Sequence, residues 1–178
     1  EETPVLARLV EDLRLLSQAE AGQLPMQREP IHVGELLADV VTSFGGQAQA
    51  AGITLHSNVL AGSDAGSSDL SPAGAATDIS ITGDYGRLEQ VLSNLTANAL
   101  RHTPAGGAVM LTAAPHPETV QITVTDTGEG IQAEDLPFVF DRFWRSDRAR
   151  THGPGEGSGL GLAIARELVQ AHGGQITV

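Results

Sequence analysis

Cysteine is absent from this chain of 178 residues, which excludes disulfides and thiolate metal centres outright. Lysine is absent too, so all 10 basic residues are arginine. Set against 22 acidic residues they leave a formal net charge of -12, which argues against non-specific binding to nucleic acid. No apolar run approaches the roughly 18 residues that a membrane-spanning helix needs, and no signal-peptide pattern opens the chain. The segment is therefore expected to be soluble, whatever a parent protein carries upstream. Apolar residues make up 40% of the sequence, so a packed core is feasible; the length allows one ordinary globular domain plus an appendage.

Periodicity predicts the elements. Thr3-Pro4 reads as a helix start, and Leu6, Leu9, Leu13 and Leu16 then recur at spacings of 3, 4 and 3, widened by Val5 and Val10. Such a stripe is a seam for other helices, and its partners are expected from upstream sequence or a second chain. The helix should stop near Gly22 and Pro25, and residues 25–30 read as a linker. A second helix is predicted from Gly34 to Ala51, buried through Leu36, Leu37, Val40, Val41 and Phe44 and ended by Gly52. Ile53, Leu55 and Val59 suggest a strand, residues 60–77 a flexible loop, and Ile79 and Ile81 a short strand. Asp84 is placed to cap a third helix running to about Arg101, with Leu88, Val91, Leu92, Leu95 and Ala99 on its apolar face. Val109-Met110-Leu111 and the stretch over 120–124 read as paired strands. The polar segment 146–157 is expected to be mobile. A last helix should start at Gly159-Leu160-Gly161 and end at Gly173-Gly174, leaving residues 175–178 as a strand that the chain end cuts short.

Four short signals carry the chemistry: Asn94-x-x-x-Asn98, Asp126-Thr127-Gly128-Glu129-Gly130, Phe140-Asp141-Arg142-Phe143 and Gly157-Ser158-Gly159-Leu160-Gly161-Leu162. At about 100° per residue Asn94, Asn98 and Arg101 share one side of the third helix, away from its apolar stripe. An amide oxygen suits Mg²⁺ when phosphates supply further ligands, although a mid-helix amide can equally bond locally. A carboxylate at a strand end, as at Asp126, can accept an exocyclic amine while Gly128 and Gly130 let backbone approach a flat base; a plain turn is the bland alternative. The glycines at 157, 159 and 161 open a helix, and a helix N-terminus favours phosphate. No Lys-Ser/Thr follows them, which argues against a P-loop. Phe140 and Phe143 are either core aromatics or anchors for the arginine-rich segment that follows them. Five arginines (Arg101, Arg142, Arg145, Arg148, Arg150) fall between the first and last signals, suiting an anion or else a solvated loop.

In this order the signals resemble the catalytic and ATP-binding domain of the sensor histidine kinases of two-component systems. Arg87-Leu88-Glu89-Gln90-Val91-Leu92-Ser93-Asn94-Leu95-Thr96-Ala97-Asn98-Ala99 resembles that family's N box. Residues 126–131, 140–145 and 157–164 resemble its G1, F and G2 boxes, and His172-Gly173-Gly174 fits the sequence downstream. The opening helix, through Leu13-Arg14-Leu15-Leu16-Ser17 and Ala19-Glu20-Ala21-Gly22, resembles the second helix of the family's dimerisation and phosphotransfer domain.

The resemblance implies an α/β fold, a two-layer sandwich of mixed β-sheet and helices (the Bergerat ATP-binding fold), preceded by one helix from a bundle. It divides the chain into that helix over 1–24, a linker over 25–33, and an ATP-binding domain over 34–178 truncated at its C-terminus. ATP and Mg²⁺ are the implied cofactors. Asp126 should take the adenine amine, Asn98 the magnesium, Asn94 a place in the ATP site close to the metal and phosphates, and Arg101 and His102 phosphate or ribose. Gly128, Gly130, Ile131, Phe140, Phe143, Gly157, Ser158, Gly159, Leu160 and Gly161 complete the implied nucleotide set. The implied partners are a phosphoacceptor helix of the same kinase or its dimer partner, and a response regulator receiver domain. The parent would be a homodimeric inner-membrane sensor holding this domain on its cytoplasmic side; half a helical hairpin leaves both a monomer and a dimer open for the fragment itself. Three departures stand out. None of His32, His56, His102, His116, His152 and His172 has the His-Glu-x-x-x-Pro setting of a phosphoacceptor, so the chain alone should not autophosphorylate. Glu156 puts a carboxylate where the family often has glycine. The final strand is incomplete. Two other readings compete: a related ATPase, disfavoured because Asn94 stands where those enzymes place a glutamate base, and a degenerate scaffold.

Overall fold

The structure, a computed structural model, describes residues 3–60, 79–145 and 158–178. Residues 61–77 of the predicted loop and the segment 146–157, with Arg148, Arg150, His152, Glu156 and Gly157, lie outside the described residues. In chain order the elements are α1 (Thr3–Glu20), β1 (Glu29–His32), α2 (Val33–Ala51), β2 (Thr54–Val59), β3 (Ser80–Gly83), α3 (Tyr85–His102), β4 (Ala108–Pro115), β5 (Val120–Asp126), a 3-10 turn (Leu136–Phe138) and α4 (Gly161–Ala171). No helix among the described residues is long and apolar enough to cross a membrane.

Two compact units divide these elements. One comprises Arg28–Tyr85 and Thr96–Glu129. Its larger sheet is mixed: β2 pairs in parallel with β4, and β4 antiparallel with β5. A parallel pair needs a long crossover, and here β3 and α3 intervene in the chain. Along β4 burial alternates, with Val109, Leu111 and Ala113 wholly inside, the period-2 pattern of a strand with one core face. Helix α2 buries Val33, Leu36, Leu37, Val40 and Ala48, the helical period-3.6 stripe. It ends where predicted: Gly52 takes φ 68° and returns its N–H to the Ala48 and Gln49 carbonyls.

The linker reading of residues 25–33 is corrected in part. Glu29–His32 is a strand, antiparallel to β3 with Ile31 opposite Ile81. One buried apolar side chain, Ile31, in four residues leaves no alternation to detect, and Pro30 is tolerated because a two-stranded ribbon has outward-facing edges.

The second unit comprises Glu1–Gln27, Gly86–Leu95 and Gly130–Val178. Its core joins Leu15 and Leu16 of α1, Val91 of α3, and Leu160, Ala163, Ile164, Ala165 and Leu168 of α4 and its approach. The α1 seam therefore finds a partner within this chain through Leu9 and Leu16, contrary to expectation. Its other positions stay open: Leu6, Val10 and Leu13 are 64%, 58% and 40% exposed.

Residues 175–178 form no strand, a second correction. Helix α4 closes through Gly173 at φ 80°, and the Gly174 N–H returns to the Val169 carbonyl at 2.9 Å. Ile176 then packs on the α1–α4 core, so the apolar side chain that suggested a strand is half-buried with no ladder.

Candidate functional site

In the sheet-bearing unit the candidate residues gather where α3 ends and β5 ends. Thr103 closes the helix by donating its hydroxyl to the Ala99 carbonyl at 2.7 Å. Asp126 is the last residue of β5, paired with Val109. One more rung follows it: Thr127 N–H donates to the Ala108 carbonyl at 3.1 Å, and its hydroxyl accepts from Ala108 N–H at 2.9 Å. The chain then turns, and Gly128 N–H donates to Asp126 Oδ1 at 2.8 Å. This side chain-to-backbone bond two residues on fixes the carboxylate and leaves its second oxygen for another donor. Asp126 itself is exposed.

Gly128 is pressed onto the last turn of α3. A Cβ there would lie 2.3 Å from the His102 carbonyl oxygen and 2.9 Å from its carbon. Both are backbone atoms, so only glycine fits. That contact brings the Asp126–Glu129 turn to α3, where His102 Nδ1 lies 3.6 Å from a Glu129 carboxylate oxygen. Asn98 sits one turn before His102 and is half-buried, while Arg101 is exposed.

The remaining candidates belong to the other unit. Phe143 N–H donates to the Gly159 carbonyl at 3.0 Å. Phe143 holds φ 61°, unusual for a bulky residue, and Gly159 holds φ 71° with its missing Cβ only 2.8 Å from Phe143 backbone atoms. Ser158 Oγ accepts from Leu160 N–H at 3.3 Å, Leu160 is wholly buried, and α4 begins at Gly161. The Asn94 amide donates to the Gly161 carbonyl at 3.1 Å. Phe140 is half-buried with the Arg166 guanidinium 5.9 Å from its ring centre, a cation–π contact, whereas Phe143 is 57% exposed. Gly130 and Ile131 are exposed. Arg142 does not wait for an anion: it forms an ion pair with Glu20 at the end of α1.

Sequence reasoning missed several of these residues. Gly107, where a Cβ would come within 3 Å of Thr103, Thr127 and Pro104 atoms, is as tightly held as Gly128; the Gly106-Gly107 pair after a helix was the available signal. The His102–Glu129 pairing had no local signal, because its partners stand 27 positions apart. Among the described residues no cluster of three or more His, Asp or Glu side chains could hold a metal by itself. A magnesium ion brought by phosphates asks less of the protein, and the half-buried Asn98 amide suits that smaller demand.

A mixed sheet with helices, a carboxylate fixed at a strand end beside a glycine, and a helix opening through Ser158-Gly159 define a class that sequence comparison identifies. The chain belongs to the histidine kinase-, DNA gyrase B- and HSP90-like ATPase family, whose pattern matches residues 83–178. Within that family its relatives are sensor histidine kinases. It is 33% identical over 175 residues to the signal transduction histidine-protein kinase BaeS of Escherichia coli K12, covering 98% of this chain and 34% of BaeS. It is 36% identical over 177 residues to the sensor histidine kinase WalK of Bacillus subtilis, covering 98% of this chain and 26% of WalK. The chain thus spans about a third or less of these relatives' length. Among solved structures, histidine kinase AdeS of Acinetobacter baumannii superposes with a TM-score of 0.71 at 26% identity, over 95% of this chain and 68% of that one. Full-length ShkA in complex with AMPPNP gives 0.73 at 30% identity, over 94% and 31%.

Proposed function

We propose that this chain is the ATP-binding kinase module of a sensor histidine kinase. It binds Mg-ATP and passes the γ-phosphoryl group to a histidine on a helix outside the chain, which then supplies a response regulator receiver domain. The observation that carries this reading is the Asp126–Gly128 turn. Its carboxylate is pinned through one oxygen and offers the other to an exocyclic amine, and the bare Gly128 lets the turn lie directly against the end of α3.

The remaining roles follow from donor chemistry. Asn98 offers an amide oxygen to magnesium, which would neutralise charge on the phosphates. Arg101 and His102 reach phosphate or ribose, with Glu129 holding the His102 ring. Gly130 and Ile131 extend the proposed adenine turn, Phe143 secures the backbone beside Gly159, and Phe140 packs under the Arg166 guanidinium of α4. The Ser158–Gly161 turn presents helix-start amides to phosphate, and Gly157 belongs to the same proposed nucleotide set. During transfer the bond from the γ-phosphorus to the β–γ bridging oxygen breaks and a phosphorus–nitrogen bond to imidazole forms. Such a step needs mainly positioning and charge neutralisation, which these groups supply. A neutral amide at Asn94 is no base for activating water, which disfavours simple hydrolysis.

On this reading residues 1–24 are the second helix of a dimerisation and phosphotransfer domain, 25–33 the connection and 34–178 the catalytic domain. The open Leu6, Val10 and Leu13 face supports the first assignment, since it suits the acceptor helix of the same kinase or of its dimer partner. The parent is a membrane sensor presenting this domain to the cytoplasm. Calorimetric titration with ATP, with and without magnesium, tests the reading. Magnesium-strengthened binding of one nucleotide per chain is expected; absence of binding in both conditions overturns it.

A further inference from the structure

The Asn94 side chain is engaged by backbone rather than free. Its Nδ2 reaches across 67 residues of sequence to the Gly161 carbonyl at 3.1 Å, in a half-buried setting. Gly161 is the first residue of α4. Three consecutive carbonyls at this helix start are each held by a different donor: Gly159 by Phe143 N–H at 3.0 Å, Leu160 by Ile164 N–H at 2.8 Å, and Gly161 by Asn94. Ser158 Oγ holds the Leu160 N–H, and the Leu160 side chain is wholly buried. The Leu160–Ile164 bond is the helix's own, so the turn is held from outside by Phe143 and Asn94, and the Asn94 contribution is the only one of the three carbonyl contacts made by a side chain. It depends on a donor. A carboxylate of the same shape has no N–H and would repel the carbonyl.

We infer that Asn94 is a positioning residue, whose amide N–H fixes the first turn of α4 so that the backbone amides there are pre-set for the phosphate end of the nucleotide. The inference rests on the proposed nucleotide reading for its consequence but not for its geometry. It assigns Asn94 work through nitrogen on the backbone, where the resemblance implied a place in the ATP site close to the metal and phosphates. It also gives a physical reason for an amide here: a glutamate in its place keeps an oxygen and loses the contact.

The test uses the whole chain with Asn94→Asp, which preserves shape and oxygen and deletes the donor, and Asn94→Ala, which deletes both without adding charge. Hydrogen exchange is measured without nucleotide, and Mg-ATP and adenosine are titrated separately. In both variants exchange over residues 160–165 should rise roughly five- to tenfold, the amount that one lost hydrogen bond permits. Mg-ATP affinity should fall roughly tenfold, while adenosine affinity stays within about twofold. A merely structural role would weaken adenosine binding as well, and that result overturns the assignment. So does Asn94→Asp with wild-type exchange and retained Mg-ATP affinity, the pattern of an oxygen ligand. If the wild-type chain binds no ATP, the nucleotide reading fails, while the exchange measurement still decides whether Asn94 holds the turn.

Discussion

Replacing Gly128 by alanine is the sharpest test of how the Asp126–Glu129 turn is built. The added Cβ would sit 2.3 Å from the His102 carbonyl oxygen, 2.7 Å from Asp126 Oδ1 and 2.9 Å from the His102 carbonyl carbon. Ordinary contact begins near 3.4 Å, so the turn and the end of α3 must part by about 1 Å. Two of the three atoms are helix backbone and cannot swing aside. Overpacking of this kind costs about 1–3 kcal/mol. Taking about 2 kcal/mol, Tm should drop by roughly 4–8 °C in a chain of this size. The same movement stretches the 2.8 Å Gly128–Asp126 bond, so adenosine affinity should fall by more than about tenfold. Gly130→Ala is the matched control. Gly130 has φ 71°, but its Cβ would meet nothing within 4 Å, so it carries only a left-handed backbone penalty of about 1 kcal/mol. Thermal melts and adenosine calorimetry on both variants decide the matter. Equal, small effects at the two positions would refute the argument that close approach, not backbone freedom, dictates Gly128.

Three further outcomes are expected. Asp126→Asn should lower adenosine affinity at least about tenfold by calorimetry, because the amide is a weaker acceptor; unchanged affinity removes the adenine role. Asn98→Ala should weaken ATP binding chiefly when magnesium is present, and an equal loss in chelator would count against metal ligation. Leu16, 1% exposed in the α1–α4 core, should cost about 2–5 kcal/mol on truncation to alanine, whereas Leu13→Ala, at 40% exposure, should cost under about 1 kcal/mol; equal melting shifts would contradict the half-buried seam.

The parts of the molecule legible in the sequence are those fixed by local rules. Helix α2 announces itself through Leu36, Leu37 and Val40 and stops at a glycine in the left-handed region. The β4–β5 pairing follows from two alternating runs in succession. Residues whose state depends on distant partners were harder. Strand β1 exists because β3 lies opposite it 48 residues on, and its own four residues carry one inward side chain. The reverse error came at residues 175–178, where Ile176 packs against a helical core and needs no sheet. Leu6, Leu9, Leu13 and Leu16 read as one seam, yet only Leu9 and Leu16 of it reach the core shared with α4, where Leu15 joins them, since periodicity reports which face is apolar and not what covers it.

The candidate site divides the same way. Asp126, Gly128 and Gly159 were visible because a strand end, a close approach and a left-handed turn each dictate residue type locally. The Arg142–Glu20 ion pair was not, and it turns an arginine read as an anion ligand into a tie between the Phe140–Phe143 segment and α1. Both side chains are well exposed, so the pair adds little to stability, a median of about 0–1 kcal/mol for such pairs. His102 and Glu129 likewise met only through the fold.

The central claim is phosphoryl transfer to a histidine outside the chain, and the direct measurement follows the γ-phosphoryl group itself. The chain is mixed with magnesium, γ-labelled ATP and a separately made helical domain bearing a phosphoacceptor histidine, alongside the same domain with that histidine changed to alanine. The account predicts magnesium-dependent label on the first domain only, and none on the chain. Label released solely as free phosphate, at the same rate with either domain, would contradict it and make the chain a hydrolase.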